Sequence, residues 1–158
     1  MLFLKNLRDF SDTLSKFKGT QMSNIDFSKL LKDKNLKVTA QRIAILDEIH
    51  KHGHSSVDDI YALIRGRIPS VSLATIYKNI LSMQNANIIK SVKTPTQKQK
   101  YEINKKPHIH LHCKICDNLE DFEADMSEFR AYCEEKSGYK NIDDTSIIFS
   151  GICKNCQK

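Results

Sequence analysis

Four of the five cysteines stand in two Cys-x-x-Cys pairs, Cys113 with Cys116 and Cys153 with Cys156, separated by residues 117–152. Each pair can present two thiolates on one tight turn, and four thiolates make a closed tetrahedral Zn(II) site. One ion would then staple the start of a small unit to its end. Two redox dithiols or unliganded thiols would use the same residues, but a thioredoxin-like dithiol needs a strand-to-helix setting that neither pair has. Cys133 is left over and falls mid-helix, where a small, partly buried residue fits. An odd cysteine count without a secretory signal argues against a disulfide framework, so the cytoplasm is the expected compartment.

A second constellation precedes the first cysteine. His108, His110 and His112 alternate, and on a strand all three would share one face. Glu102 and Asp121 fall on neighbouring expected strands, and His54 stands before a helix. Imidazoles with carboxylates suit Fe(II), Mn(II) or Zn(II), and two carboxylates offset a dication's charge. Taken singly, each residue also reads as an ordinary surface side chain.

These residues need elements to hold them. Phe3, Leu7, Phe10, Leu14 and Phe17 make one helical stripe, so residues 1–21 read as a helical N-terminal extension before Met22. A helix is expected at about 25–35, capped by Asn24 or Asp26. Thr39 caps AQRIAILDEIHKH, which Gly53 ends, although Arg42 at the third helical position denies it a full capping box. Ser56 with Asp59 starts a helix to about Arg67, carrying Ile60, Leu63 and Ile64, and Pro69 breaks it. Ser72 caps SLATIYKNILSMQNA, with Leu73, Ile76, Ile80 and Leu81 expected inward.

IIKSVK and KYEI then flank a Pro/Thr/Gln/Lys turn, a hairpin pattern. Helices followed by a basic hairpin make a winged helix-turn-helix over residues 22–104, with the helix from Ser72 reading the major groove. After a linker at 104–107, the chain reads as strand (109–114), strand (119–123), helix (126–136) and strand (146–152). The expected fold class is therefore α+β, a winged-helix domain plus a small C-terminal α/β unit over 105–158. A unit of about 50 residues is marginal alone and needs a metal, a partner or both.

Charge divides along the same line. Residues 1–107 carry 19 Lys and Arg against 9 Asp and Glu, whereas residues 108–158 carry 6 against 10. A basic first part suits a nucleic-acid reader, though solvated surface charge gives the same pattern. No apolar run is long enough to span a bilayer.

TAQR (39–42), HSSVDDIY (54–61), SLATIYKNI (72–80), KYEI (100–103), HIHLHCKIC (108–116), EDFE (120–123) and CKNC (153–156) occur in this order over roughly residues 25–157. Together they resemble the ferric-uptake-regulator family. The resemblance implies a homodimer of winged-helix domains joined through C-terminal dimerisation domains, with structural zinc on Cys113, Cys116, Cys153 and Cys156. It implies a regulatory Fe(II) or Mn(II) held by His54, Glu102, His108, His110 and Asp121, with no ligand counterpart for His112. A third metal site of iron-responsive members is not expected, because its positions hold Pro107, Ile109 and Thr145. Asp121 resembles the peroxide-responsive (PerR-type) branch and Glu102 the iron-sensing one; the balance leans to peroxide.

The implied function is metal-dependent repression at palindromic A/T-rich operator DNA, ended when peroxide oxidises the ligands His54 or His108. Ser72, Thr75, Tyr77, Lys78 and Asn79 would face the groove. Arg42, Lys93, Lys98 and Lys100 would meet phosphates or the minor groove. No turnover catalysis, small-molecule substrate or membrane is expected. An iron- or zinc-responsive repressor without peroxide chemistry, a metalloenzyme, and a zinc-stapled interaction module are the rival readings; the metalloenzyme lacks an evident general base and cleft.

Overall fold

The computed structural model describes residues 25–158 except Gln97, Asp143 and Lys158, so the N-terminal extension expected over 1–21 lies outside the described residues. Four helices come first: α1 (Phe27–Asp33), α2 (Ala40–His52), α3 (Val57–Arg65) and α4 (Leu73–Asn85). Each begins where a short polar side chain can satisfy a free amide. Asp26 accepts from the Lys29 amide at 3.0 Å, Thr39 from Arg42 at 3.3 Å, and Ser72 from Thr75 at 3.1 Å. Ser56 and Asp59 close a reciprocal capping box. Gly53 ends α2 at a φ of 72°, a conformation that side chains disfavour.

The hairpin β1 (Ile89–Lys93) and β2 (Gln99–Ile103) is antiparallel, with Lys90 opposite Glu102. Helices and hairpin enclose one apolar core that includes Leu31, Ile45, Leu46, Ile49, Ile60, Ile76, Ile80 and Tyr101. Removing each such aliphatic side chain from water contributes roughly 2 kcal/mol. The inward face of α4 is Ile76, Ile80 and Met83. Leu73 and Leu81, expected inward, are 38% and 59% exposed. Each residue turns a helix by about 100°, so the series Leu73, Tyr77, Leu81 rotates steadily off the core face.

The second unit contains β3 (Ile109–Cys113), β4 (Leu119–Phe122), α5 (Ser127–Ser137) and β5 (Ile148–Gly151). β3 is central, antiparallel to β4 and parallel to β5. This unit buries few apolar residues, chiefly Ile109 and Leu119. Phe129, Tyr132, Phe149 and Ile152 are each more than half exposed.

Candidate metal centres

The cysteine pairs meet because of strand order. β3 and β5 run parallel with Cys113 opposite Gly151, so both Cys-x-x-Cys turns leave the same end of the sheet. One sulfur from each of Cys113, Cys116, Cys153 and Cys156 lies within 4.8 Å of every other. Cys116 Sγ and Cys153 Sγ are 3.8 Å apart. A tetrahedron of 2.3 Å Zn–S bonds has edges of about 3.8 Å, so the sulfurs fit zinc. Their protonation is uneven. Amides of Cys153, Cys116 and Ile115 pull the Cys113 thiol down to about 6, while the Cys153 and Cys116 sulfurs push Cys156 up to about 12. Ionising all four thiols this close together needs a cation among them.

The histidine–carboxylate cluster is assembled from both units. A single antiparallel bridge, Ser55 with Tyr101, ties the chain after α2 to β2 through hydrogen bonds of 3.1 and 2.8 Å. One step along that register sets His54 against Glu102. In the second unit the β3–β4 register places His110 opposite Asp121, and His108 lies two residues earlier on the same face.

The three Nε2 atoms converge on the two carboxylates. His54 Nε2 is 3.2 Å from Asp121 Oδ1 and 3.4 Å from Glu102 Oε2. His108 Nε2 is 3.3 and 3.0 Å from the same two atoms, and 3.1 Å from His110 Nε2. His110 Nε2 is 3.6 Å from Asp121 Oδ1 and 3.5 Å from Glu102 Oε1. Yet His54 Nε2 and Glu102 Oε1 are buried with no aligned hydrogen-bond partner. His108 Nε2 is within hydrogen-bond reach of Glu102 Oε2 and His110 Nε2, but His54 Nε2 and Glu102 Oε1, close to the other ligand atoms and hydrogen-bonded to none, point at a shared centre. Ligand atoms about 2.1 Å from one ion stand about 3.0–3.4 Å apart, so the set fits a dication. His108 Nδ1 lies 2.8 Å from the Lys106 carbonyl, which keeps a proton on Nδ1 and turns the Nε2 lone pair inward.

Electrostatics agree with that fit. Burial pushes the Glu102 carboxyl up, but His110, His54, His108 and Lys105 overcome it and hold it well below the usual range. Asp121 is also penalised by burial, and His54 and Lys105 bring it down to about 2. Burial lowers the His54 pKa, but the facing Asp121 and Glu102 raise it further, for a net rise. Both carboxylates are thus ionised and face basic nitrogens. Fixed anions with imidazole donors favour a borderline divalent cation.

A family model described as the ferric uptake regulator family matches residues 33–149, across both units. The chain belongs to that family. Its proteins are transcription regulators rather than enzymes. The ferric uptake regulation protein of Neisseria gonorrhoeae is 31% identical over 131 residues, covering 80% of this chain and 90% of that one. The peroxide operon regulator of Bacillus subtilis is 26% identical over 130 residues, covering 81% and 89%. Among solved structures, the Campylobacter jejuni peroxide stress regulator superposes with a TM-score of 0.68 at 32% identity, over 84% of this chain and all of that one.

Within this family fold the residues expected at DNA divide into two groups. Tyr77, Lys78, Lys93 and Lys98 are exposed, on α4 and the hairpin. Ser72 is exposed too, but its hydroxyl is occupied as a cap with the half-buried Thr75. Three others have internal partners. Arg42 holds Asn79 Oδ1 at 3.2 Å, Ser82 Oγ at 3.1 Å and the Lys37 carbonyl at 2.6 Å. Asn79 donates in turn to the Thr75 carbonyl at 2.9 Å. Lys100 donates to the Asp117 carbonyl at 2.8 Å, joining the hairpin to the first cysteine turn. In this DNA-free conformation Arg42, Asn79 and Lys100 brace α4 and the hairpin.

His112 shares the face of His108 and His110 but stands apart from their cluster. Its Nε2 meets Asp117 Oδ1 at 2.8 Å, and Thr96 of the hairpin donates to the same oxygen at 3.1 Å. Sequence reasoning also passed over Lys90 and Lys105, which reach the carboxylates of the cluster. The available signal was a lysine three residues beyond Glu102 in the linker.

Proposed function

We propose that the protein is a metal-dependent, dimeric repressor of operator DNA, with a winged-helix reader in residues 22–104 and a dimerisation unit in 105–158. The carrying observation is that the five donors come from both units: His54 and Glu102 from the first, His108, His110 and Asp121 from the second. An ion held by all five fixes the pose of one unit on the other, and linkage then ties metal affinity to DNA affinity. Zn(II) on the four cysteines would serve structure alone, since that set closes on itself. The apolar side chains left exposed on the second unit support a second copy as its cover. The exposed Tyr77, Lys78, Lys93 and Lys98 support double-stranded DNA as the partner, with an A/T-rich palindrome matching a two-fold reader. The cytoplasm suits such a regulator, and no described helix is long and apolar enough to cross a membrane.

The regulatory ion in this reading is Fe(II) or Mn(II), and the signal is peroxide. The five donors would hold the iron, and Fe(II) there would supply the redox chemistry by which, in net terms, peroxide passes one oxygen to a carbon of a ligand imidazole and leaves as water. Asp121 and Glu102 hold the charge, and His54 and His108 present Nε2 within 3.4 Å of those carboxylates. Oxidising either ring removes a donor from the bridge, and the units lose their fixed pose. Glu102 favours a second reading, iron or zinc response without peroxide chemistry.

One experiment addresses both readings. Wild type and His108→Ala are titrated with Mn(II) and Fe(II), tested on an A/T-rich palindromic duplex, and treated with peroxide before mass spectrometry. Metal-dependent DNA binding lost in His108→Ala is expected. Addition of one oxygen atom to a His54 or His108 peptide is expected in the Fe(II) form only. DNA binding that ignores both metal and substitution sinks the regulator reading; absent oxidation leaves the second reading.

A further inference from the structure

Glu102 and Asp121 carry the negative charge of the five-donor cluster, and two lysines reach them. Lys90, opposite Glu102 in the hairpin, places Nζ 3.4 Å from Glu102 Oε1. Lys105, in the linker, places Nζ 3.4 Å from Glu102 Oε2 and also hydrogen-bonds Asp121 Oδ2. Lys90 therefore acts within one unit. Among the described lysines, only Lys105 touches both carboxylates, and so joins the first unit to the second.

Building on the regulatory-metal reading above, we propose that Lys105 is a built-in competitor for the regulatory ion. Its ammonium group bridges the same two carboxylates that a dication would bridge. It holds the units together at low metal and raises the metal concentration at which the ion takes over.

Two observations and one principle carry this. At Glu102 the oxygens overlap, since Oε2 meets His54, His108 and Lys105 alike, while at Asp121 the histidines face Oδ1 and Lys105 takes Oδ2 of the same carboxylate. An ammonium within a few ångströms of a dication repels it, so the two cations cannot share Glu102 Oε2 and the Asp121 carboxylate without loss. The lysine side chain is 41% exposed, whereas the Glu102 side chain is wholly buried. Lys105 can therefore swing into water when an ion enters, with no charge left stranded inside. Partial exposure also limits the effect, because solvent screens the pairs.

The test uses the full chain with Mn(II) as the probe. Removing the competitor by Lys105→Met should tighten Mn(II) binding by about ten-fold, the scale of two partly screened ion pairs. It should also weaken metal-free DNA binding, so that the ratio of DNA affinities with and without Mn(II) rises. Lys105→Gln, which keeps a polar side chain, should shift both quantities in the same direction. Lys140→Met, on an exposed residue of the second unit outside both clusters, should change neither. In wild type, saturating Mn(II) should make the Lys105 amine react faster with an acylating reagent, read by mass spectrometry, while Lys140 stays constant. Unchanged or weaker Mn(II) affinity in both Lys105 variants, or Lys105 labelling indifferent to Mn(II), overturns the proposal. His108→Ala separates the two levels: if it still binds Mn(II) like wild type, the regulatory-site reading fails. If it loses Mn(II) while the Lys105 variants match wild type, only the competitor proposal fails.

Discussion

The two units solve the same problem by different means. The helical unit closes a core of side chains such as Leu31, Ile45, Leu46, Ile49 and Ile76, none of which is exposed. The three-stranded unit buries Ile109 and Leu119, leaves Phe129, Tyr132 and Phe149 more than half exposed, and gathers four sulfurs at one end of its sheet. The first is held by its own apolar packing, and on the proposed reading the second borrows stability from an ion and a partner. A regulator divided as proposed would keep its DNA-reading surface intact while the connection between the units changes.

The harshest way to break this comparison is to strip the sulfur site. Cys153→Ser with Cys156→Ser, or strong chelation, should cost the second unit on the order of 10 kcal/mol. Hydrogen exchange should then lose protection over residues 108–157 while α2 and α4 keep theirs; loss in both units at once would show that they fold as one.

Ile45→Ala acts on the other side. It should cost about 3 kcal/mol in urea unfolding followed by circular dichroism, through the cavity it leaves, with zinc content unchanged. Phe149→Asp places a charge on the exposed face of β5 and should weaken self-association by about 2 kcal/mol in sedimentation. An unchanged dimer would move the interface elsewhere. Thr39→Ala should cost only about 1 kcal/mol, the worth of one cap, and shift the helical unit's midpoint alone.

The pH response is the gentlest probe. His54 has a raised pKa, so its contribution to metal-free stability is complete below 6.5 and fades as pH rises through the raised value. Glu102 and Asp121 are lowered, so theirs are complete above 4.5 and fade on acidification. The metal-free thermal midpoint should therefore decline on both sides of mildly acidic pH. His54→Gln should remove the alkaline decline and leave the acid one.

Much of this was legible in the chain because the signals are local. Thr39, Ser56 and Ser72 announce helix starts by chemistry that acts over three residues, and Cys-x-x-Cys announces a turn that offers two sulfurs. What stayed hidden depends on distant partners. Leu73 and Leu81 differ from Ile76 only in angle around α4, which no residue type reveals. The partners of Arg42 within the chain, Asn79 and Ser82, lie 37 and 40 residues away and meet it only once α4 packs beside it. His112 matches His108 and His110 in spacing, and only the fold places Asp117 and Thr96 where they claim it.

The lone bridge between Ser55 and Tyr101 carries one more consequence. It makes the grip on a cation depend on counting: along a strand, neighbours face opposite ways. Deleting a single residue between Tyr101 and the linker would turn the following side chains over and leave His54 facing the wrong neighbour. Loss of a residue at the hairpin tip would spare that parity. Insertions and deletions should therefore be tolerated around 95–97 and excluded from 99–103, a rule of length rather than of chemistry.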